Sequence, residues 1–372
     1  MAEVVELREV TDRRDVIHRA VQCLSAGELV VLPSEAGCVV AGFSLAESAG
    51  AHLARSDSST LLLLRSSEET TDYLPQLSPV GLRFARRCWP GPLVLRAAAS
   101  LESGFLSALP LGVQSVLVSN GLLSVRVSSH PVLSAVGKLL RGPLLIRELA
   151  KIPSNEELNQ PEWQHVTLVV KESSTATPIP PHPSAATAPV ATSIIQVDAN
   201  GWTAERIGLL NENKLQVSAC ELIVFVCTGN TCRSPMAEVL CQDMLAKRLK
   251  CSTQDLIKRG FVVASAGLAA DYGSPASPES VEMMRRRGVD LRAHASQPFT
   301  DRVLEQADRC YTMTNQHRHA ILASHPESAE RVQVLARDGT DISDPIGGGW
   351  DHYAASAASI ETHLAKILDE LL

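Results

Sequence analysis

The segment Cys227-Thr228-Gly229-Asn230-Thr231-Cys232-Arg233-Ser234 places a thiol and a guanidinium in one short stretch, directly after the apolar run Leu222-Ile223-Val224-Phe225-Val226. A thiolate is the nucleophilic form of cysteine, and positive charge at a helix N-terminus or on a nearby cation favours it. The apolar run predicts a buried strand that delivers Cys227 at its carboxyl end. Ser234-Pro235 predicts a helix start, with a hydroxyl that can cap and a proline suited to the first turn. Gly229 permits tight backbone between them. Such a loop aims several amide N–H groups at one anion. Arg233 can grip two phosphate oxygens in a fork and balance charge in the transition state. Ser234 can donate a hydrogen bond to the sulfur. The chemistry this suits is removal of a phosphoryl group by covalent catalysis. A Cys-x5-Arg spacing alone arises by chance; strand, glycine, Arg-Ser-Pro and an amphipathic helix together carry the signal.

That chemistry needs an acid, because a phosphoester oxygen or phosphoramidate nitrogen leaves poorly without a proton. Asp344, in Asp344-Pro345-Ile346-Gly347-Gly348, is the candidate, on a loop that could cover the site. Asp341 is its neighbour and competitor, and the plainer reading of Asp344 is a turn-opening aspartate before proline. Cys232 is either a disulfide partner that protects oxidised Cys227 or a small residue that fits the loop. No metal or organic cofactor is called for, and no clustered His/Cys spacing suggests zinc.

Val226 to Glu238 resembles the active-site stretch of the low-molecular-weight protein phosphatase family. The resemblance continues through Ser265-Ala266-Gly267, His294-Ala295-Ser296, Tyr311-Thr312-Met313-Thr314 and the Asp344-Pro345 loop, covering about residues 221–372. It implies that Cys227 is the nucleophile, Arg233 the phosphate ligand and Asp344 the general acid and base. Thr228, Gly229, Asn230, Thr231, Cys232 and Ser234 then line the phosphate. Tyrosine-directed members typically carry a larger aliphatic residue at the position of Thr231, whereas the bacterial protein-arginine phosphatase branch carries threonine. Ile346 stands where many eukaryotic members have a tyrosine that lines a slot for an aromatic ring. Both departures lean toward phosphoarginine. An arsenate reductase shares the loop but needs a downstream pair of resolving cysteines, and only Cys310 stands in a suitable region.

At 372 residues and 45% apolar content, the chain can fill two domains with sizeable cores; at 4% aromatic content, aliphatic side chains must do the filling. A net charge of −7 argues against a strongly basic nucleic-acid surface, though not against a local patch. No apolar run reaches membrane-spanning length, and Met1-Ala2-Glu3 opens no signal peptide. Nine cysteines, an odd number without a scaffold spacing, fit a reducing cytoplasm.

Two domains are expected, 1–218 and 219–372, both α/β. In the second, strands at 222–226, 262–265, 309–313 and 332–335 alternate with helices at 235–249, 278–287, 301–307 and 353–371. That alternation predicts a doubly wound parallel four-stranded sheet with helices on both faces, its ligands at the carboxyl ends of the strands. In the first, a helix at 13–26 with Val16, Ile17, Ala20, Val21 and Leu24 on one face precedes strands at 28–32, 39–43, 61–64, 123–127, 166–170 and 193–197. Further helices are expected around Leu82 and Phe84 and from Pro131 through Leu140. Residues 172–193 are rich in Ser, Thr, Ala and Pro and read as a flexible loop.

Pro33-Ser34-Glu35, Trp89-Pro90-Gly91-Pro92-Leu93, Val125-Arg126-Val127 and Thr192-Ser193-Ile194-Ile195 resemble motifs of the YrdC/Sua5 family of threonylcarbamoyl-adenylate synthases over about residues 8–214. The resemblance implies an α/β sandwich around a twisted mixed sheet and a concave surface for nucleotide or RNA. The family's Lys-x-Arg pair is missing, because Arg55-Ser56-Asp57-Ser58-Ser59 stands there, and Arg147-Glu148-Leu149 replaces its Ser-Ala-Asn. Fewer cations and an added carboxylate weaken a triphosphate site. The domain is therefore expected to lack synthase activity, with Ser34 and Arg126 as a vestigial site or as structural residues. The expected partner of the whole chain is a phosphorylated protein. RNA or nucleotide is the alternative partner at the first domain, and threonylcarbamoyl-adenylate synthesis the alternative activity.

Overall fold

A computed structural model describes residues 2–54, 60–102, 104–172 and 191–372. Arg55–Ser59, and residues 173–190 of the expected flexible loop, lie outside the described residues. The chain divides into two compact units, Met1–Ser218 and Ala219–Leu372.

The first unit is built on an 11-stranded mixed sheet. Its central strands Leu29–Ser34, Leu61–Leu64 and Leu122–Val127 are buried almost throughout, which is why the first two open as continuous apolar runs rather than alternating ones. Pro33 sits inside the first of these. It lies beyond the residues paired with Val166–Lys171, so its missing N–H costs no ladder bond on that side. The helix Arg13–Ser25 is capped by Asp12, whose carboxylate accepts from Arg14 N at 2.9 Å. It packs Val16, Ala20 and Leu24 into the core together with Val132, Leu133 and Val136 of the helix Pro131–Leu139, as the apolar spacing predicts. Leu209–Gln216, polar in sequence, enters a further helix, Glu212–Ala219.

The second unit carries a four-stranded sheet in the order Phe261–Gly267, Glu221–Cys227, Arg309–Thr312, Val332–Val334, every pair parallel. The chain passes from the Glu221–Cys227 strand to one neighbour and only later crosses to the other. The carboxyl end of that strand is therefore the point where strand order reverses, the usual place for a ligand in an open α/β sheet. Side chains alternate along the strand and both faces are covered. Ile223, Phe225 and Cys227 meet the helices Arg233–Leu249, Pro278–Arg286 and Trp350–Leu371. Val224 and Val226 meet Leu304, Ala307 and Ile321 on the opposite face. No helix among the described residues is long and apolar enough to cross a membrane.

Candidate active site

The loop between Cys227 and Arg233 turns on Asn230, whose φ is 55°. Asparagine tolerates this left-handed conformation better than most residues, and its side chain is fastened from three sides. Asn230 Nδ2 donates to Ser234 Oγ at 2.9 Å and to Ser265 Oγ at 2.8 Å, and its Oδ1 accepts from Gln297 N at 2.9 Å. Its carbonyl accepts from His294 Nε2 at 2.7 Å, which fixes that ring as the Nε2–H tautomer; burial lowers the His294 pKa. Ser265 Oγ in turn donates to Glu238 at 2.5 Å, and burial raises the pKa of that carboxyl.

The sequence reading gave the tight backbone position to Gly229. The structure gives it to Asn230, and a side chain at Gly229 would meet only the Thr231 hydroxyl, at 3.7 Å. The glycine that close approach does require is Gly267, paired in register with Cys227. A Cβ there would lie 2.6 Å from the Thr228 carbonyl oxygen and 2.9 Å from Asn230 N. Ser234 also differs from expectation. The helix begins at Arg233 with Cys232 as the flanking residue, so the Ser234 hydroxyl does not cap it and turns to the sulfur instead.

Around Cys227 Sγ stand the Ser234 hydroxyl at 3.0 Å and the Asn230 amide N–H at 3.3 Å. Ser234 Oγ already accepts from Asn230 Nδ2, so its own proton is available to the sulfur or to the Ala266 carbonyl at 3.3 Å. Both donors suit a sulfur anion. The N–H groups of Gly229 and Thr231 meet no acceptor among the described residues, and unsatisfied loop amides beside a helix N-terminus are an anion-binding arrangement. Thr228 Oγ1 lies 2.9 Å from Nε2 of the buried His317. Thr231 Oγ1 turns back toward Cys232 Sγ at 3.7 Å, while the Thr231 carbonyl accepts from Ser277 N at 2.9 Å. Cys232 is buried beside the Tyr353 hydroxyl at 3.7 Å.

Arg233 is buried, with its side chain 6% exposed. Its Nη1 donates to the Ile342 carbonyl at 3.2 Å and its Nη2 pairs with Asp344 Oδ2. Asp344 is 45% exposed and also accepts from Ile346 N at 3.2 Å. Asp341 is used differently, because its Oδ1 accepts from both Asn315 N and Asn315 Nδ2, at 2.7 and 3.0 Å. The fold thus brings Cys227, Ser234, Arg233 and Asp344 together. Asn230, Gln297 and His317 are tied in by contacts that cross the sheet. Sequence spacing gives no hint of Gln297, which lies 67 residues from Asn230 in the chain, or of His317. No group of His, Cys, Asp and Glu among the described residues is arranged to hold a metal.

In the first unit, Ser34 and Arg126 do not form an open site. Arg126 is fully buried. It pairs with Glu35 and, at 3.3 Å, with Glu148, and its Nε donates to the Gly91 carbonyl at 3.3 Å. Glu35 also accepts from Ser128 Oγ, Ser129 N, Ser129 Oγ and His130 N. Glu148 further holds Arg206 at 2.8 Å and the Thr192 hydroxyl at 2.5 Å. Ser34 Oγ meets only the Ala36 N–H, at 3.4 Å, among the described residues.

Residues 222–372 match the family described as low molecular weight phosphotyrosine protein phosphatase. The chain is similar to a protein-arginine-phosphatase of Bacillus subtilis (strain 168), 35% identical over 153 residues that make up 40% of this chain and 95% of that protein. It is also similar to a probable low molecular weight protein-tyrosine-phosphatase, EpsP, of Ralstonia solanacearum, 36% identical over 124 residues, 33% of this chain and 77% of that protein. Among solved structures, the YwlE arginine phosphatase from Geobacillus stearothermophilus is 32% identical, covering 41% of this chain and 92% of its own, with a TM-score of 0.36. Through its second unit, this chain belongs to the low molecular weight protein phosphatase family and is a phosphatase-type hydrolase.

Proposed function

We propose that residues 219–372 form a domain that hydrolyses phosphorylated protein side chains through a phosphocysteine, with phosphoarginine preferred over phosphotyrosine. The observation that carries the mechanism is the pair of donors on Cys227 Sγ beside a buried Arg233. The substrate phosphate takes the guanidinium over from Asp344 and settles among the loop amides of residues 228–234. Asp344, released from Arg233, takes up a proton from solvent. The Cys227 thiolate attacks phosphorus and forms the P–S bond as the P–O or P–N bond breaks, and Asp344 delivers that proton to the departing oxygen or nitrogen. Water then attacks the phosphocysteine and gives a proton to Asp344. The P–S bond breaks, the thiolate returns and inorganic phosphate leaves. Ser234 supports the sulfur anion in both steps, and a reducing cytoplasm keeps the thiol available.

The preference for phosphoarginine rests on Thr231, on the aliphatic and exposed Ile346, and on the similarity to a protein named for arginine phosphatase activity. Phosphate release from matched phosphoarginine and phosphotyrosine peptides, with Cys227→Ser as control, tests it. Faster release from phosphoarginine is expected. A preference for phosphotyrosine overturns the substrate assignment, and no release from either overturns the mechanism.

For residues 1–218 we propose a YrdC/Sua5-like domain without synthase activity. Both carboxylates around Arg126 occupy the cation that a triphosphate would need. Pyrophosphate release from ATP with threonine and bicarbonate is expected to stay at background, and turnover would overturn this reading. A salt-sensitive mobility shift with double-stranded RNA would instead make this domain an RNA-binding unit.

A further inference from the structure

The helix Asn315–Ser324 begins immediately after the strand Arg309–Thr312 and touches both halves of the site with its first turn. Thr314 caps it, accepting from His317 N at 3.2 Å. On one side, His317 Nε2 lies 2.9 Å from Thr228 Oγ1 in the phosphate loop. On the other, Asn315 N and Nδ2 donate to Asp341 Oδ1 at 2.7 and 3.0 Å, and Nδ2 also donates to the Gly339 carbonyl at 3.0 Å. One residue further on, Ile342 N donates to the Met313 carbonyl at 2.8 Å. The Ile342 side chain is fully buried and its carbonyl accepts from Arg233 at 3.2 Å. The segment leading to Asp344 is thus fastened at Gly339 and Asp341 to the first residue of the helix, and at Ile342 to Met313 just before its cap. The first turn of the same helix holds the phosphate loop.

We propose that Asn315 and Asp341 are positioning residues for the acid: they fasten the loop that carries Asp344 to the helix turn that grips Thr228. This rests on the reading of Asp344 as general acid. An acid works only within hydrogen-bond reach of the leaving atom, and a displacement of about 1 Å can cost roughly a hundredfold in rate. The same geometry separates the two aspartates, both of them exposed. One oxygen of Asp341 accepts two N–H groups from Asn315 and serves as an anchor, whereas Asp344 faces the Arg233 guanidinium.

The test measures kcat/KM of the full chain on p-nitrophenyl phosphate and on phenyl phosphate. Phenol, with a pKa of about 10 like a tyrosine side chain, needs the proton far more than nitrophenol does. Asp341→Ala and Asn315→Ala are each expected to lose about thirtyfold on phenyl phosphate but only about threefold on p-nitrophenyl phosphate. The double variant should lose less than the product of the two single losses, because the two side chains share the Asn315 Nδ2–Asp341 Oδ1 bond, while each also keeps a bond of its own, Asp341 from Asn315 N and Asn315 Nδ2 to the Gly339 carbonyl. Asp341→Asn keeps an acceptor oxygen and is expected to recover to within about threefold of wild type on both substrates. Inhibition by orthovanadate should be unchanged in all of these variants, since the phosphate loop stays intact.

Wild-type rates for Asp341→Ala on phenyl phosphate would overturn the proposal. Equal losses on both substrates with weakened vanadate inhibition would also overturn it, by assigning the contact to the phosphate loop. If Asp341→Asn is as impaired as Asp341→Ala while Asp344→Asn is mild, Asp341 is itself the acid and the proposal falls. Activity surviving Cys227→Ser would instead sink the underlying catalytic reading.

Discussion

Each unit buries an arginine against carboxylates, and the two arginines are held in opposite ways. Arg126 faces Glu35 and Glu148 and a backbone carbonyl, and Glu35 is itself pinned by Ser128, Ser129 and His130. Removing either carboxylate from that cluster would strip several hydrogen bonds around a fully buried guanidinium, so the charge has no freedom to greet a ligand. Arg233 is almost as deeply placed, but its one carboxylate partner is the half-exposed Asp344 on a Pro-Gly loop. A phosphate can displace that partner without breaking a network. Binding an anion through a buried arginine thus depends less on the arginine than on whether its resting counter-ion can leave.

The largest effect should come from removing the centre that this exchange serves. Cys227→Ser should reduce turnover on any phosphorylated peptide by at least about a thousandfold, since the weaker hydroxyl nucleophile replaces the thiolate. Circular dichroism should stay unchanged, and residual turnover near wild type would remove Cys227 from the mechanism. Next comes the counter-ion. Asp344→Asn still fills the loop but cannot give a proton, so kcat/KM on phenyl phosphate should fall by about a hundredfold or more. A fall confined to KM would instead make Asp344 a binding residue.

The locked arginine predicts the reverse pattern, a loss of stability with no loss of phosphatase activity. Glu35→Gln leaves fully buried Arg126 short of one charge partner and should destabilise the first unit by about 3 kcal/mol in denaturant titrations. Phosphatase activity measured in buffer should hold. The same ion pair sets a pH dependence. Burial works to raise the Glu35 pKa, but Arg126 and the surrounding donors outweigh it and hold the carboxyl below its ordinary 4.5. A depressed carboxyl stabilises the fold above its unfolded-state value and ceases to do so as pH falls through the folded-state one. The first unit should therefore weaken below about pH 4.5, and Glu35→Gln should flatten that slope. The smallest effect is one of selectivity. Thr231→Ile should shift the ratio of phosphoarginine to phosphotyrosine hydrolysis by about tenfold or less, the range that one side chain commands in a pocket. An unchanged ratio would give Thr231 a purely local role beside Cys232.

The sequence made the nucleophile legible because everything that presents Cys227 is local. An apolar strand, a short polar loop and Arg-Ser-Pro lie within one stretch, and the alternation of strands and helices predicted a parallel sheet with the cysteine at a strand end. What stayed hidden is what parallel topology brings together from afar. His294 stands in a recognisable segment, but its contact with Asn230, like that of Gln297, exists only because the loops after neighbouring strands converge. His317 reaches Thr228 in the same way. Nothing local in the sequence shows that Asn230, rather than Gly229, takes the left-handed turn. In the first unit, Arg126 and Glu35 were visible in motifs. That Glu148 pairs with Arg126 and in turn holds Thr192 and Arg206 was not, because an ion network is assembled by sheet register and leaves no spacing in the sequence.

The strand Glu221–Cys227 has a hydrogen-bonded neighbour on each edge and a helical layer on each face. Its amides can therefore reach water only when the whole second unit opens. The nucleophile stands on the last residue of that strand, so it cannot be lost by fraying or by a small local excursion. The placement of the nucleophile is therefore an all-or-none property of this unit, whereas the acid sits on an exposed loop. In rising urea, loss of vanadate binding should coincide with loss of the Glu221–Cys227 ladder, with no folded species that lacks the phosphate site between them.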